Sequence, residues 1–122
     1  LLWSCMTTND PRFQPHIPLI IKSLPGKPEG HSRELLKILE QMEIPETLEG
    51  PLFDCCVSIW EKIGKRPSVR YTAFKIILKL AAKYPELYQE VQFLTQDHYI
   101  DPLSPGIRRA IIRLAQKPVA KT

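Results

Sequence analysis

A short phrase occurs twice in this chain at a spacing of 38 residues. The phrase reads Pro-Ser-Val-Arg at 67–70 and Pro-Gly-Ile-Arg at 105–108, and each copy opens a stretch with helical spacing of apolar residues. A fainter third copy places Arg33 at a distance of 37 residues before Arg70. Self-similarity at this period is typical of stacked helical hairpins, in which no single unit can bury its own apolar face. The repeat therefore predicts an all-α fold, an α-solenoid.

The apolar spacing predicts three hairpins, each made of an A helix and a B helix, after a leftover helical end at the start of the chain. Asp10 and Pro11 mark the start of the first A helix, and Pro18 is expected to shorten or bend it because proline removes a backbone hydrogen bond. Gly64 is predicted to cap the second A helix. The predicted pairs are 10–24 with 29–43, 45–63 with 67–83, and 85–94 with a helix from 105 to before 118, and a loop is expected at 95–104.

The second hairpin has the clearest core pattern. Five apolar residues of its A helix fall within roughly 80° of arc, which indicates a narrow buried stripe. We therefore predict two inward faces in this hairpin. They consist of Leu48, Leu52, Cys55, Ile59 and Ile63 on the A helix, and of Val69, Ala73, Ile76, Ile77 and Leu80 on the B helix.

Composition indicates one soluble folded domain. The chain has 122 residues, of which 43% are hydrophobic and 25% charged, as in ordinary globular proteins. No apolar run is longer than three residues, as at 76–78, which is far too short to span a bilayer, and no membrane partner is expected. Three cysteines cannot form a disulfide framework of the usual even kind, which favours reduced thiols and a cytoplasmic protein.

The start of the chain has the pattern of a helix end. Leu1, Leu2 and Trp3 are apolar, and no initiator methionine precedes them. We interpret residues 1–122 as a single repeat domain that is a fragment of a longer solenoid. Trp3 and Met6 are then expected at an apolar edge that a terminal repeat would otherwise cap.

Two segments carry a resemblance to a known family. Residues 69–73, Val-Arg-Tyr-Thr-Ala, with Ile76 and Leu80 after them, match the B-helix pattern of HEAT repeats. Residues 107–111, followed by Leu114, are a looser copy. The chain resembles the HEAT-like superfamily of armadillo-type α-α superhelices over essentially its whole length. The resemblance implies a right-handed solenoid of about three hairpins, with the B helices on the concave side.

The resemblance also implies roles for particular residues. Ala73 corresponds to the small residue that lets helices approach closely, and Arg70 and Arg108 correspond to arginines that often bond to the neighbouring repeat. With Arg33 aligned to Arg70, the first repeat departs from the pattern, since Ser32 replaces an aliphatic residue and Leu36 an alanine.

Charge is unevenly distributed along the chain. Residues 1–59 have a net charge of −3 and residues 60–122 a net charge of +7, which together give the formal +4. In the second B helix, lysines recur every four residues, and the 38-residue shift carries them onto basic residues of the last helix. We therefore predict a basic ridge on two stacked B helices as the binding site. It consists of Lys75, Lys79, Lys83, Arg109, Arg113 and Lys117.

The basic ridge supports two functional hypotheses beside the interpretation that it only keeps one helix face solvated. The first is a non-catalytic protein-interaction scaffold whose B-helix face binds a protein partner, and the positive charge of the ridge makes an acidic partner one candidate. The alternative is a nucleic-acid-binding module of the HEAT-like DNA-alkylation-repair type. That catalytic family needs a carboxylate among aromatic residues in the groove, yet residues 67–83 and 105–122 contain no Asp or Glu.

Catalytic and metal-binding patterns are weak. The best candidate is the cluster of Asp97, His98, Tyr99 and Asp101, from which an acid–base pair could be built, although such residues are common in turns. The histidines and cysteines lack metal-ligand spacing, and the glycines form no phosphate-binding loop. Cys55 and its neighbour Cys56 are predicted to be small buried residues. We expect no enzyme activity, no cofactor, no metal and no small-molecule substrate.

Overall fold

Helices make up every regular element in the described part of the chain. The computed structural model describes residues 14–24 and 29–116. Short 3-10 helices occur at Gln14–His16 and Pro85–Leu87. The α-helices are α1 (Ile17–Ser23), α2 (Glu29–Glu40), α3 (Glu46–Glu61), α4 (Pro67–Ala81), α5 (Tyr88–Phe93), α6 (Asp97–Ile100) and α7 (Pro105–Gln116). The predicted all-α class is confirmed, while the predictions for Trp3, Met6, Asp10, Pro11 and Lys117 lie outside the described residues.

The helices follow the predicted alternation of A and B helices. The first unit contains α1 and α2, the second α3 and α4, and the third the segment 85–116. The B helices are α2, α4 and α7, and α4 contacts both of the others. Three units of this kind therefore share one apolar core.

The first A helix is short, as predicted, but the proline acts differently. The α-helix begins only at Ile17, so Pro18 lies in the first turn. Proline is tolerated there because the first turn has no partner for its backbone N–H in any case. Pro18 thus starts α1 and does not kink it.

The A helix of the second unit ends earlier than expected. Its last residue is Glu61 and its C-cap is Lys62, so the prediction of Gly64 as the cap is wrong. Ile63 lies beyond the helix and is 48% exposed, against the prediction that it is buried. The buried face of α3 is therefore rotated relative to the predicted stripe. Its buried residues are Glu49, Leu52, Cys56, Ile59 and Trp60, whereas Leu48 and Cys55 of the predicted stripe are half-buried.

A proline in the interior of α3 is accommodated by the residue before it. Pro51 lies five residues after the start of α3 at Glu46. A proline ring normally clashes with the Cβ of a preceding helical residue. Gly50 has no Cβ and avoids this clash, while Pro51 still leaves the Thr47 carbonyl without its i+4 donor.

The central helix α4 confirms the sequence prediction for its inward face. All five predicted residues are buried, and Ala73 is fully buried, in agreement with its implied role at a close helix contact. The same face also buries Arg70, Thr72 and Phe74. Burial of nine residues on one helix makes α4 the centre of the core.

The first two B helices share one burial pattern at a shift of 38 residues. Ser32 and Arg70 are both buried, and Arg33 and Tyr71 are both half-buried. This alignment replaces the 37-residue spacing between Arg33 and Arg70 expected from sequence. The pattern continues through further pairs in matching classes, namely Leu36 with Phe74, Lys37 with Lys75, Ile38 with Ile76, Leu39 with Ile77 and Met42 with Leu80.

The third unit has a broken A segment where one helix and a loop were predicted. The 3-10 helix Pro85–Leu87 leads into α5, and the predicted loop at 95–104 contains the one-turn helix α6. Tyr99, Ile100 and Leu103 are buried in this stretch. Burial of these apolar side chains accounts for the order of a segment whose polar composition suggested a loop.

Two buried side chains of the second unit hold this broken segment. The Trp60 ring nitrogen donates to the Leu94 carbonyl at 2.8 Å. Arg70 donates through Nε to the Trp60 carbonyl at 2.8 Å and through Nη2 to the Tyr99 carbonyl at 2.6 Å. Its guanidinium lies 4.4 Å from the centre of the Trp60 ring. Arg70 therefore bonds to the neighbouring repeat, as the resemblance implied.

Loss of the Arg70 side chain is expected to destabilise the domain strongly. In Arg70→Leu the carbonyls of Trp60 and Tyr99 would remain buried without their donor, which we expect to lower the free energy of unfolding by about 3 kcal/mol. Urea denaturation followed by circular dichroism measures the change. Arg109→Leu, at an exposed position of α7, is the matched control and should change stability by less than about 0.5 kcal/mol. Equal effects of the two substitutions would contradict the role of Arg70.

Candidate interaction surface on the B helices

Lys75 lies at the contact between the first two B helices. Its ammonium group is 3.2 Å from a carboxylate oxygen of Glu40 on α2. It also lies 5.0 Å from the centre of the Tyr71 ring, one turn earlier on α4. Both side chains of the ion pair remain about one quarter exposed. Lys75 is therefore held in place and still accessible from solvent.

Lys79 caps the C-terminal end of α2. Its ammonium group donates to the carbonyl oxygens of Glu40, at 3.0 Å, and Met42, at 2.7 Å. Carbonyls at a helix C-terminus lack helical partners and form the negative end of the helix dipole, so a cation is favourable there. Burial lowers the pKa of Lys79. This lysine of the predicted basic ridge thus joins the first and second units.

Lys83 belongs to a polar cluster between α3 and the end of α4. Its ammonium group and the Tyr84 hydroxyl each donate to a different carboxylate oxygen of Glu49, whose side chain is 6% exposed. These two hydrogen bonds lower the pKa of Glu49. The bond to Glu49 in turn raises the pKa of Lys83 and raises that of Tyr84 to about 12. Lys83 therefore holds the two helices of the second unit together.

The remaining described residues of the predicted ridge are on α7. Arg109 and Arg113 are both exposed, and Arg108 beside them is half-buried. The 38-residue shift places Arg113 at the position of Lys75 and Arg109 at that of Tyr71. Buried Ile111 and Ala115 on α7 correspond to buried Ala73 and Ile77 on α4, which supports the same register on the third B helix.

A basic residue that the sequence prediction missed completes a row across the helices. Lys37 on α2 stands 38 residues before Lys75, and both are half-buried. Burial, followed by the charge of neighbouring Lys75, lowers the pKa of Lys37. We call Lys37, Lys75 and Arg113 the basic row. The repeat shift could have found Lys37 from sequence if it had also been applied toward the N-terminus.

Among the three helices that carry the basic row, only α2 contains acidic residues. Glu34 and Glu40 are half-buried on α2. Neither α4 nor α7 contains an Asp or a Glu. Positive charge is therefore greater on α4 and α7 than on α2, and Glu40 offsets part of it at Lys75.

The predicted catalytic cluster is dispersed. Asp97, His98 and Asp101 are exposed, whereas Tyr99 is buried with its hydroxyl donating to Glu61 at 3.3 Å. Burial raises the pKa of Tyr99. Within the described residues His98 forms no hydrogen bond with a carboxylate. The four residues consequently do not form an acid–base pair in this arrangement.

The cysteines and metal-ligating residues give no reactive site in the described part of the chain. Cys56 is buried and Cys55 half-buried, and burial raises the pKa of both thiols. A raised pKa disfavours the nucleophilic thiolate, so Cys56 behaves as the predicted small apolar residue. The described residues hold no group of three or more His, Cys, Asp or Glu side chains suited to a metal ion.

Among residues 14–24 and 29–116, no helix is both long enough and apolar enough to cross a bilayer.

The bonds around Glu49 predict how stability depends on pH. Because the pKa of Glu49 is lower in the folded protein, the stabilisation is present above the ordinary value of 4.5 and is lost as the pH falls through the lowered value. The free energy of unfolding of the wild type should thus fall more steeply in acid than that of Glu49→Gln. Urea denaturation between about pH 7 and about pH 3 measures this. Exposed Glu90→Gln is the control, and parallel curves for the wild type and Glu49→Gln would contradict the prediction.

Comparison with known proteins agrees with the repeat geometry. A model of the HEAT repeat domain family matches residues 5–117, nearly the entire chain. Searches of curated proteins and of solved structures found no match. The matched range covers all three helical units, including the inter-unit contact of Arg70. The chain therefore belongs to the HEAT repeat domain family, whose helical repeats generally act as non-catalytic interaction scaffolds.

Proposed function

We propose that this domain is a non-catalytic scaffold that binds an acidic segment of a protein partner through the basic row. The observation that carries the proposal is the recurrence of a cation at one position of three successive B helices, Lys37, Lys75 and Arg113. Lys79 of the predicted ridge donates to two backbone carbonyls and Lys83 to the nearly buried carboxylate of Glu49, so both are held by stronger contacts within the fold than Lys75, whose ion pair with Glu40 is partly exposed. Exposed Arg109 extends the basic row on α7.

The spacing of the basic row suits an extended peptide. Packed helices lie about 8–10 Å apart, so three cations on three successive helices span about 16–20 Å. An extended chain advances about 3.3 Å per residue, so about six residues cover that distance. A segment with acidic side chains spread over six residues could pair with each member of the row.

The carboxylates on α2 favour a protein partner over duplex DNA. Glu34 and Glu40 interrupt the positive charge at the first helix. Duplex DNA presents about one negative charge per 1.7 Å of its axis, and a uniform polyanion gains most from an uninterrupted basic surface. A peptide can instead place its acidic residues opposite Lys37, Lys75 and Arg113 and neutral residues opposite the glutamates.

Neutralisation of the basic row is expected to weaken binding of an acidic peptide. The probe is a fluorescein-labelled peptide of six glutamates alternating with serines, measured by fluorescence anisotropy against Lys37→Gln/Lys75→Gln/Arg113→Gln. Loss of three partly exposed ion pairs should raise the Kd roughly tenfold or more at low salt. The difference between wild type and variant should shrink as salt is added, because salt screens exposed charges.

The control removes the same charge from another surface. Lys22→Gln/Lys62→Gln/Lys65→Gln changes lysines outside the B helices and should leave the Kd within about twofold. Equal weakening in both triple variants would show attraction by net charge and contradict the proposal. A labelled DNA duplex is titrated in parallel, and tighter binding of the duplex than of the peptide would favour a nucleic-acid module.

A further inference from the structure

A cleft separate from the basic row lies between α3 and the C-terminal end of α4. Its volume is about 250 Å³. This is below the range of about 300–1,000 Å³ typical of pockets for drug-sized ligands, and it suits one or two side chains of a docked segment. The lining residues are Glu46, Glu49, Gly50, Phe53, Asp54, Leu80, Tyr84 and Leu87.

The cleft has an apolar floor. Leu80 is buried, while Phe53 and Leu87 are half-buried and pack against the core. The open side of the cleft borders Gly50. A Cβ at Gly50 would meet no atom within 4 Å apart from its chain neighbours and the nearby backbone of its own helix. An aliphatic side chain could therefore enter beside Gly50 and cover the floor.

The rim of the cleft carries negative charge. Glu46 and Asp54 are exposed, and within the described part of the chain neither forms an ion pair. The Glu49 carboxylate inside the cleft is already bonded to the Lys83 ammonium and the Tyr84 hydroxyl, so Glu49 and Lys83 together contribute little net charge. The bond to Glu49 is the main cause of the raised pKa of Tyr84, and the nearby charges of Glu46 and Glu86 add to it.

An apolar floor under an acidic rim is complementary to a side chain with an apolar stem and a cationic head. We propose that this cleft binds an arginine of a partner protein segment, with a neighbouring aliphatic residue on the floor. The arginine stem would cover Phe53 while the guanidinium bonds to Asp54, and Glu46, about 12 Å away along the helix axis, would add to the attraction. Arginine fits better than lysine because its planar group stacks on aromatic rings and bonds to carboxylates in a fork, and Tyr84 and Phe53 offer such rings.

The inference is independent of the proposed function. The basic row consists of B-helix cations that would take an acidic segment, whereas the acid-rimmed cleft is formed by α3, α4 and the turn after it. A basic segment and an acidic segment could therefore bind the same domain together. If the binding experiment for one site gives a negative result, the proposal for the other site still stands on its own experiment.

Three short peptides test the cleft directly. The probes are Gly-Ser-Leu-Arg-Leu-Ser-Gly, the same peptide with Glu in place of Arg, and the same peptide with Gly in place of both Leu residues. Each is titrated into the ¹⁵N-labelled domain, and amide shifts are followed by NMR. We expect the arginine peptide to bind with a Kd on the order of 1 mM or lower and to shift the amides of Gly50, Tyr84 and Leu87. The glycine-flanked peptide should bind more weakly, and the glutamate peptide should not shift these amides.

Isosteric neutralisation of the rim locates the site. Glu46→Gln/Asp54→Asn should raise the Kd of the arginine peptide roughly tenfold, and the fold should be retained because both residues are exposed. Glu90→Gln/Asp101→Asn is the matched control, also at exposed positions, and should change the Kd by less than about twofold. Equal shifts with the glutamate peptide, shifts outside the cleft, or equal effects of the two double variants would overturn the proposal.

Discussion

The contact between Trp60 and Arg70 is the interaction on which the packing of the third unit against the second depends. The A segment of the third unit is broken after α5 and again after α6, and each break leaves a backbone carbonyl without a helical partner. Trp60 donates to one of these carbonyls and Arg70 to the other. Because both donors are fully buried and stacked on each other, the bonds cannot be replaced by water without opening the core. Two hydrogen bonds from one stacked pair of side chains thus hold the third unit against the second.

Three lysines, two on α4 and one just after its end, show that residues at one regular spacing can have different contacts. Lys75, Lys79 and Lys83 follow one another at intervals of one helical turn, yet each meets a different environment. Lys79 reaches the C-terminal carbonyls of α2, and Lys83 reaches a nearly buried carboxylate on α3. Lys75 stays at the solvent-facing boundary between α2 and α4. The proposed binding surface therefore uses cations at equivalent positions of successive B helices, and not the lysines that follow one another along one helix.

Much of the fold was predictable, because helix periodicity and proline positions report local structure directly. The inward face of α4 was correct at every predicted residue, since an apolar stripe of this regularity has one favourable orientation. The misplaced stripe of α3 has a different cause. Ile63 fitted the helical spacing, but the helix ends at Glu61, and the bulky Trp60 occupies the core through its bond to Leu94. That bond joins residues 34 positions apart, and no local pattern contains it.

The sequence by itself determined the all-α class and the 38-residue repeat, because both are written in spacing along one helix or in a recurring phrase. The resemblance to HEAT repeats indicated the family and implied the role of Arg70. The tertiary structure alone decided which cations are bound within the fold, and it brought Glu46, Asp54 and Leu87 around one cleft. The physical reason is that pairing and enclosure depend on distances between helices. A charge count treats all lysines alike, whereas a carbonyl or carboxylate from another helix distinguishes them.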